Sequence, residues 1–163
     1  MIFGQASEFA IEAYHEPAGP QWNGFGRMAI IIQGMQLGNI REEHCSLFDA
    51  TDRFRELCSI IDTLWDESFT GLSDSDIFQI IDRARYTGYL PDLSERYGRF
   101  DFLTNTGEQF NGIKVFIICR PGGLVHVLYQ FRNNVFGSGS CSVGLFRDVS
   151  TSFVCWFDKQ VSS

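Results

Sequence analysis

Two side chains suited to nucleophilic chemistry, Cys119 and His126, lie at either end of the stretch "CRPGGLVH". "RPGG" (120–123) has the composition of a hairpin turn, so adjacent strands would carry the thiol and the imidazole. A thiol beside an imidazole is the beginning of an activated nucleophile. No third group stands at a spacing that would orient the ring, and a hydrogen-bonded sheet histidine is the plainer reading. The pair still defines one functional alternative, a small-ligand-binding or enzymatic α+β domain using His126 and Cys119. Other patterns fall short. "GSGSCSVG" (137–144) is glycine-rich, but Ser142 breaks GxGxxG and no phosphate-loop lysine follows, so it reads as a surface loop. HExxH and GxSxG do not occur. The five cysteines are odd in number, include no CxxC and read as free buried thiols. His44–Cys45 alone is not a zinc-ligand spacing. The expectation is a protein without catalytic residues, metal or cofactor.

Carboxylates are the remaining candidates. Residues 49–82 hold nine acids and two bases, which accounts for the whole net charge of −7. The rest of the chain has eleven of each and nets zero. Asp66–Glu67 and Glu42–Glu43 are sequence neighbours, a poor arrangement for a coupled acid–base dyad. Placed at 100° per residue on a helix, Asp52, Glu56 and Asp66 oppose the apolar stripe, with Glu67 and Asp49 on one flank and Asp62 on the other. Asp52, Glu56, Asp62, Asp66 and Glu67 are therefore the candidate partner-binding residues, for a partner that is basic. A merely solubilising helix surface is the simpler alternative, and the loops at 16–26 and 133–142 would then be the next candidates. Nucleic acid is not an expected partner. Only two of the thirteen bases are lysines, and no basic cluster occurs.

The elements that must carry these residues follow from periodicity. An apolar run starts at Ile2, and "EFAIEAY" (8–14) alternates with a strand period. "RMAIIIQ" (27–33) is a second strand, and Gly34 marks a tight turn into "MQLG" (35–38). The spacing of Leu47, Ala50, Phe54, Leu57, Ile61, Leu64 and Trp65 predicts an amphipathic helix near 47–66, capped by Ser46 and Asp49. Ser73 and Asp76 open a second helix near 75–86, stopped by Gly88 and Pro91. "RFDFLTN", "IKVFIIC" (113–119), "LVHVLYQF" (124–131) and "CSVGLF" (141–146) read as strands, and 148–158 as a last short helix or a strand. The fold class is α+β: an antiparallel sheet with two main helices packed on one face, in a single domain over 1–163. Glu8 and Glu12 interrupt the opening run and no Lys or Arg precedes Arg27, so no secretory signal is expected. "MAIII" (28–32) and "VFIIC" (115–119) are far below the ~20 residues that span a bilayer. The expected location is cytoplasmic, away from membranes, with the chain complete as written. Oligomeric state is open, although exposed aromatics such as Phe136 and Phe146 would suit a homo-oligomer.

The opening carries more. "MIFGQASEFAIEAY", Trp22, Gly26–Arg27, the apolar strand and "QGMQLGN" (33–39) resemble the N-terminal part of a bacterial family, immunity protein 42. The matching positions are Ile2, Gly4, Phe9, Ala10, Ile11, Trp22, Gly26, Arg27, Gly34 and Gly38. The resemblance implies an immunity protein that binds a cognate secreted polymorphic toxin in the producer's cytosol and occludes its active site. Many such toxins attack nucleic acids through basic clefts, which an acidic stripe would complement. Trp22 and Arg27 read as a buried ring and a turn-stabilising cation.

Overall fold

The computed structural model describes residues 1–17, 19, 23–42, 44–88, 90–103 and 106–162. The fold is α+β, but with two antiparallel sheets in place of the expected one. In the first, β1 (Ile2–Gln5) and β2 (Phe9–His15) form a hairpin, and β3 (Phe25–Ile32) pairs with all of β2, from Phe9↔Ile32 to His15↔Gly26. The turn Gln33–Gly34 has positive φ at both residues, the geometry of a tight two-residue hairpin turn, and it returns β4 (Met35–Leu37) onto β3. A two-residue strand, β5 (Cys45–Ser46), pairs with the start of β3. Phe9, Ile11 and Ala13 face the core with Met28, Ile30 and Ile32, as the alternation requires.

The second sheet is a meander of β6 (Ile113–Arg120), β7 (Leu124–Phe131) and β8 (Phe136–Ser142). Helices α1 (Leu47–Ile60) and α4 (Val143–Val161) pack together and onto the first sheet, while α2 (Asp74–Asp82) packs on the second. A short α3 (Pro91–Tyr97) follows α2. One hydrophobic cluster runs through both sheets and the helices. Phe54 of α1 lies within it, its ring 5.6 Å from Phe153, 5.7 Å from Phe102 and 6.1 Å from Phe146.

Four local expectations are corrected. The first helix ends at Ile60, followed by a 3₁₀ turn at Ile61–Thr63 and a second at Glu67–Phe69. The apolar period continues past the break because Leu64 and Phe69 are still core residues, while the Leu64 carbonyl accepts the Cys119 N–H of β6. Pro91 ends one helical segment and also begins α3, where it occupies the first turn and its missing N–H costs nothing. Among the described residues of "RFDFLTN" there is a single bridge, Asp101↔Phe116, although Phe100 and Phe102 are buried as a strand reading would have them. Finally, 137–144 is not a loop. Residues 137–142 belong to β8, and Ser142 caps α4, so the strand expected at 141–146 ends at Ser142 and its remainder opens a 19-residue helix that includes 148–158. Phe146 is accordingly buried, and Phe136 packs on Phe78.

Candidate partner-binding site

The two residues with nucleophilic potential are not brought together. In the β6–β7 ladder His126 lies opposite Ile118, and Cys119 lies opposite Val125. Cross-strand partners share a face and consecutive residues alternate, so the thiol and the imidazole point to opposite sides of the sheet. Cys119 is in the core, where burial pushes its thiol pKa up. His126 instead meets Asp74, the first residue of α2, through Nδ1 at 2.8 Å from Oδ2. Arg120 holds the other carboxylate oxygen with Nη2 at 2.7 Å and Nε at 3.2 Å. Burial pushes the Asp74 carboxyl up, but the hydrogen bonds from His126 and Arg120 outweigh it and hold the group well below the ordinary carboxylate range. The His126 Nε2 is buried without a partner. The trio therefore ties α2 to β6 and β7, with the free ring nitrogen out of reach of solvent.

The five candidate carboxylates meet different fates. Asp52 binds Arg55 at 2.6 Å, and the same guanidinium reaches Asp158 on α4. Glu56 binds Arg53 at 2.6 Å. Asp62, just beyond α1, pairs with Arg147 of α4. These three side chains are 57–60% exposed. Asp66 is the correction: its side chain is 3% exposed and is not on the helix at all. It caps the turn at 67–69 by accepting from the Ser68 N–H at 3.0 Å and hydroxyl at 2.6 Å, and it receives Arg96 through two bonds of 2.7 Å. Burial raises its pKa, but Ser68 and Arg96 prevail and lower it. Glu67 is exposed and makes no ion pair among the described residues. A D-x-S pattern is a local capping signal, and at 66–68 it could have revealed the break.

Charge segregated along the chain is thus mixed in space. Asp52, Glu56, Asp62, Asp66, Glu67 and Asp158 lie among Arg53, Arg55, Arg96, Arg99 and Arg147, six charges against five. The net charge of −7 persists for the whole molecule, but the local stripe is mostly cancelled.

Unpaired charge is found elsewhere. Three turns, at 39–42, 108–113 and 131–133, surround an open, polar groove of about 750 Å3. Arg132, Glu42 and Glu108 line it together with Asn39, Asn111 and Asn133. None of its charged groups is in an ion pair among the described residues.

A family model described as immunity protein 42 matches residues 1–156. The chain belongs to the immunity protein 42 family. No curated protein and no solved structure matches it. Several of the positions that carried the resemblance are structural in this family member. Phe9, Ala10 and Ile11 are fully buried in β2. Gly4 has φ +87°, and a Cβ there would lie 2.3 Å from the Phe9 carbonyl oxygen, so this β1 position admits only glycine without rebuilding. Arg27 pairs with Glu16 across the β2–β3 connection, in keeping with the turn-stabilising reading. Trp22, and with it the expectation of a buried ring, lies outside the described residues. No helix of the described residues is long and apolar enough to cross a membrane.

Proposed function

We propose that this protein binds a cognate secreted toxin in the cytoplasm of the producing cell and neutralises it by covering the toxin's active site, with no catalysis of its own. The observation that carries the reading is the family match over residues 1–156. Occlusion needs a stable scaffold and a complementary surface, and the shared core of the two sheets supplies the first. The enzymatic alternative loses its basis, because Cys119 and His126 sit on opposite faces of their sheet. The toxin domain is basic on the side that meets this protein. The overall negative charge speeds encounter, and Asp52, Glu56, Asp62 and Glu67 form the acidic rim of the contact. Asp66 belongs to the scaffold and takes no direct part.

The test is co-expression with the toxin domain encoded beside the gene. The expected results are restored growth and co-elution of the two proteins as a stoichiometric complex. Unrelieved toxicity with the immunity protein present at equal level, or two separate elution peaks, would overturn the reading.

A further inference from the structure

We propose that the groove between the 39–42, 108–113 and 131–133 turns is a docking site for an extended loop of the toxin, one that presents a carboxylate to Arg132 and a basic side chain to Glu42 and Glu108. The proposal rests on the toxin-binding reading above. Its first support is unspent charge. At least nine of the thirteen basic side chains are in ion pairs with carboxylates among the described residues, including both arginines of α1. Arg132 is exposed and has neither an ion pair nor a side-chain hydrogen bond among the described residues. Its guanidinium lies against Gly112, where an added Cβ would stand 3.0 Å from Nε. Among the described residues Glu108 is exposed and unpaired, and the Glu42 carboxylate accepts a single 3.3 Å hydrogen bond, from Asn39. Charges of both signs are thus held apart across one concavity, and the complement is a segment that carries both.

The lining favours a polypeptide over a small molecule. Small-ligand pockets are enclosed and mostly apolar, with a few polar groups. This groove is open and lined largely by carboxamides and charges, the composition of a hydrated protein–protein contact. Asn111 and Asn133 offer a donor and an acceptor each, which suits the amides of an extended backbone.

The walls are also fixed before binding. The Asn39 N–H donates to the Gln109 carbonyl at 2.8 Å, and the Glu42 N–H closes the turn onto the Asn39 carbonyl at 3.0 Å. Opposite, the Phe131 N–H donates to the Val135 carbonyl at 3.0 Å and the Asn134 N–H to the Phe131 carbonyl at 2.8 Å. Asn134 has a left-handed backbone, φ +63°, which asparagine tolerates and which tightens the turn. Ordered walls reduce the entropy lost on association.

The experiment measures binding kinetics between the full chain and a catalytically inactivated form of the toxin domain encoded beside its gene. Arg132→Glu and Glu108→Arg are compared with wild type, with thermal unfolding as the folding control. Arg132→Ala, which removes the charge without adding one, serves as the second Arg132 variant. Each charge reversal should weaken affinity by about tenfold or more, chiefly through faster dissociation, while the melting temperature is unchanged. Wild-type binding that both reversals leave within about twofold overturns the groove as the docking site. A wild-type protein that does not bind the toxin overturns the toxin reading itself, and the groove proposal with it.

Discussion

On the α1–α4 face, Asp52, Glu56 and Asp62 each meet an arginine; in the groove, Arg132, Glu42 and Glu108 meet no opposite charge among the described residues. The first surface is rich in carboxylates along the chain, yet its field is largely cancelled by Arg53 and Arg55 of α1 itself, Arg147 of α4 and the arginines at 96 and 99. The second is assembled from three turns of mixed composition, and its charges remain available. Local charge density in a sequence therefore does not indicate where a folded surface can recognise a partner. Carboxylates without an internal counter-ion keep that capacity in full, while paired ones add a weaker contribution at the rim of a contact. Exposed pairs such as Glu56–Arg53 contribute at most about 1 kcal/mol to stability, because water screens them and long side chains lose freedom. Buried carboxylates such as Asp66 and Asp74 are different: removing Asp74 leaves the half-buried Arg120 and His126 without their partner, and removing Asp66 takes away the cap of the 67–69 turn together with its two bonds to Arg96.

The sharpest way to break the comparison is to treat the carboxylates as equivalent and measure them. Asp66→Ala or Asp74→Asn should each lower unfolding free energy by about 2–4 kcal/mol in denaturant titrations, while Glu56→Ala changes it by no more than about 0.5 kcal/mol. Equal effects at Asp66 and Glu56 would show that the buried and exposed carboxylates do not differ as the geometry says.

Acid titration tests the same division. Asp66 and Asp74 have folded-state pKa values below the ordinary one. Their stabilisation is complete above the unfolded value, about 3.9, and is lost as pH falls below it toward the lowered folded values. Stability of the wild type should fall as the pH drops below about 5, and the fall should be shallower in Asp74→Asn. Parallel curves for the two proteins would remove Asp74 from the acid response.

Steering is the next effect. Glu56→Lys combined with Asp62→Lys should slow association with the toxin about three- to tenfold at low salt and flatten its salt dependence, with little change in dissociation. An unchanged association rate in stopped-flow mixing would reduce the ridge to a solubilising surface and leave recognition to the groove. The smallest effect is expected at Arg132: Arg132→Ala should change stability by less than about 0.5 kcal/mol, because the side chain has no ion pair to lose. A larger loss would mean that the guanidinium is part of the scaffold.

Several elements were legible because their signals are local. Ser46 and Asp49 set the start of α1, and the Ser46 hydroxyl does accept the Asp49 N–H. Gly34 marked the return into β4, and "RPGG" the β6–β7 hairpin. Pro91 was equally visible but ambiguous, since the same missing N–H that stops one helix suits the first turn of the next. β8 was hidden, because Gly137, Ser138, Gly139 and Ser140 carry no apolar alternation; the segment pairs because β7 offers a complete edge. The Asp66 break was masked by a hydrophobic period that runs through Leu64 while the backbone leaves the helix.

By itself the sequence determined the α+β class, most strands, the start of α1 and the total charge, since each depends on short-range spacing or on composition, and its opening carried the resemblance to the family. The tertiary structure alone decided which charges stay free. Asp62 finds Arg147 and Arg55 finds Asp158 across 85 and 103 residues, and the groove exists only where turns remote along the chain converge. The same holds for His126 and Cys119, whose closeness in sequence placed them in one hairpin while the pleat of the strands turned them to opposite faces. A counter-ion or a groove wall is chosen by packing in three dimensions, and the spacing of residues along the chain carries no record of that choice.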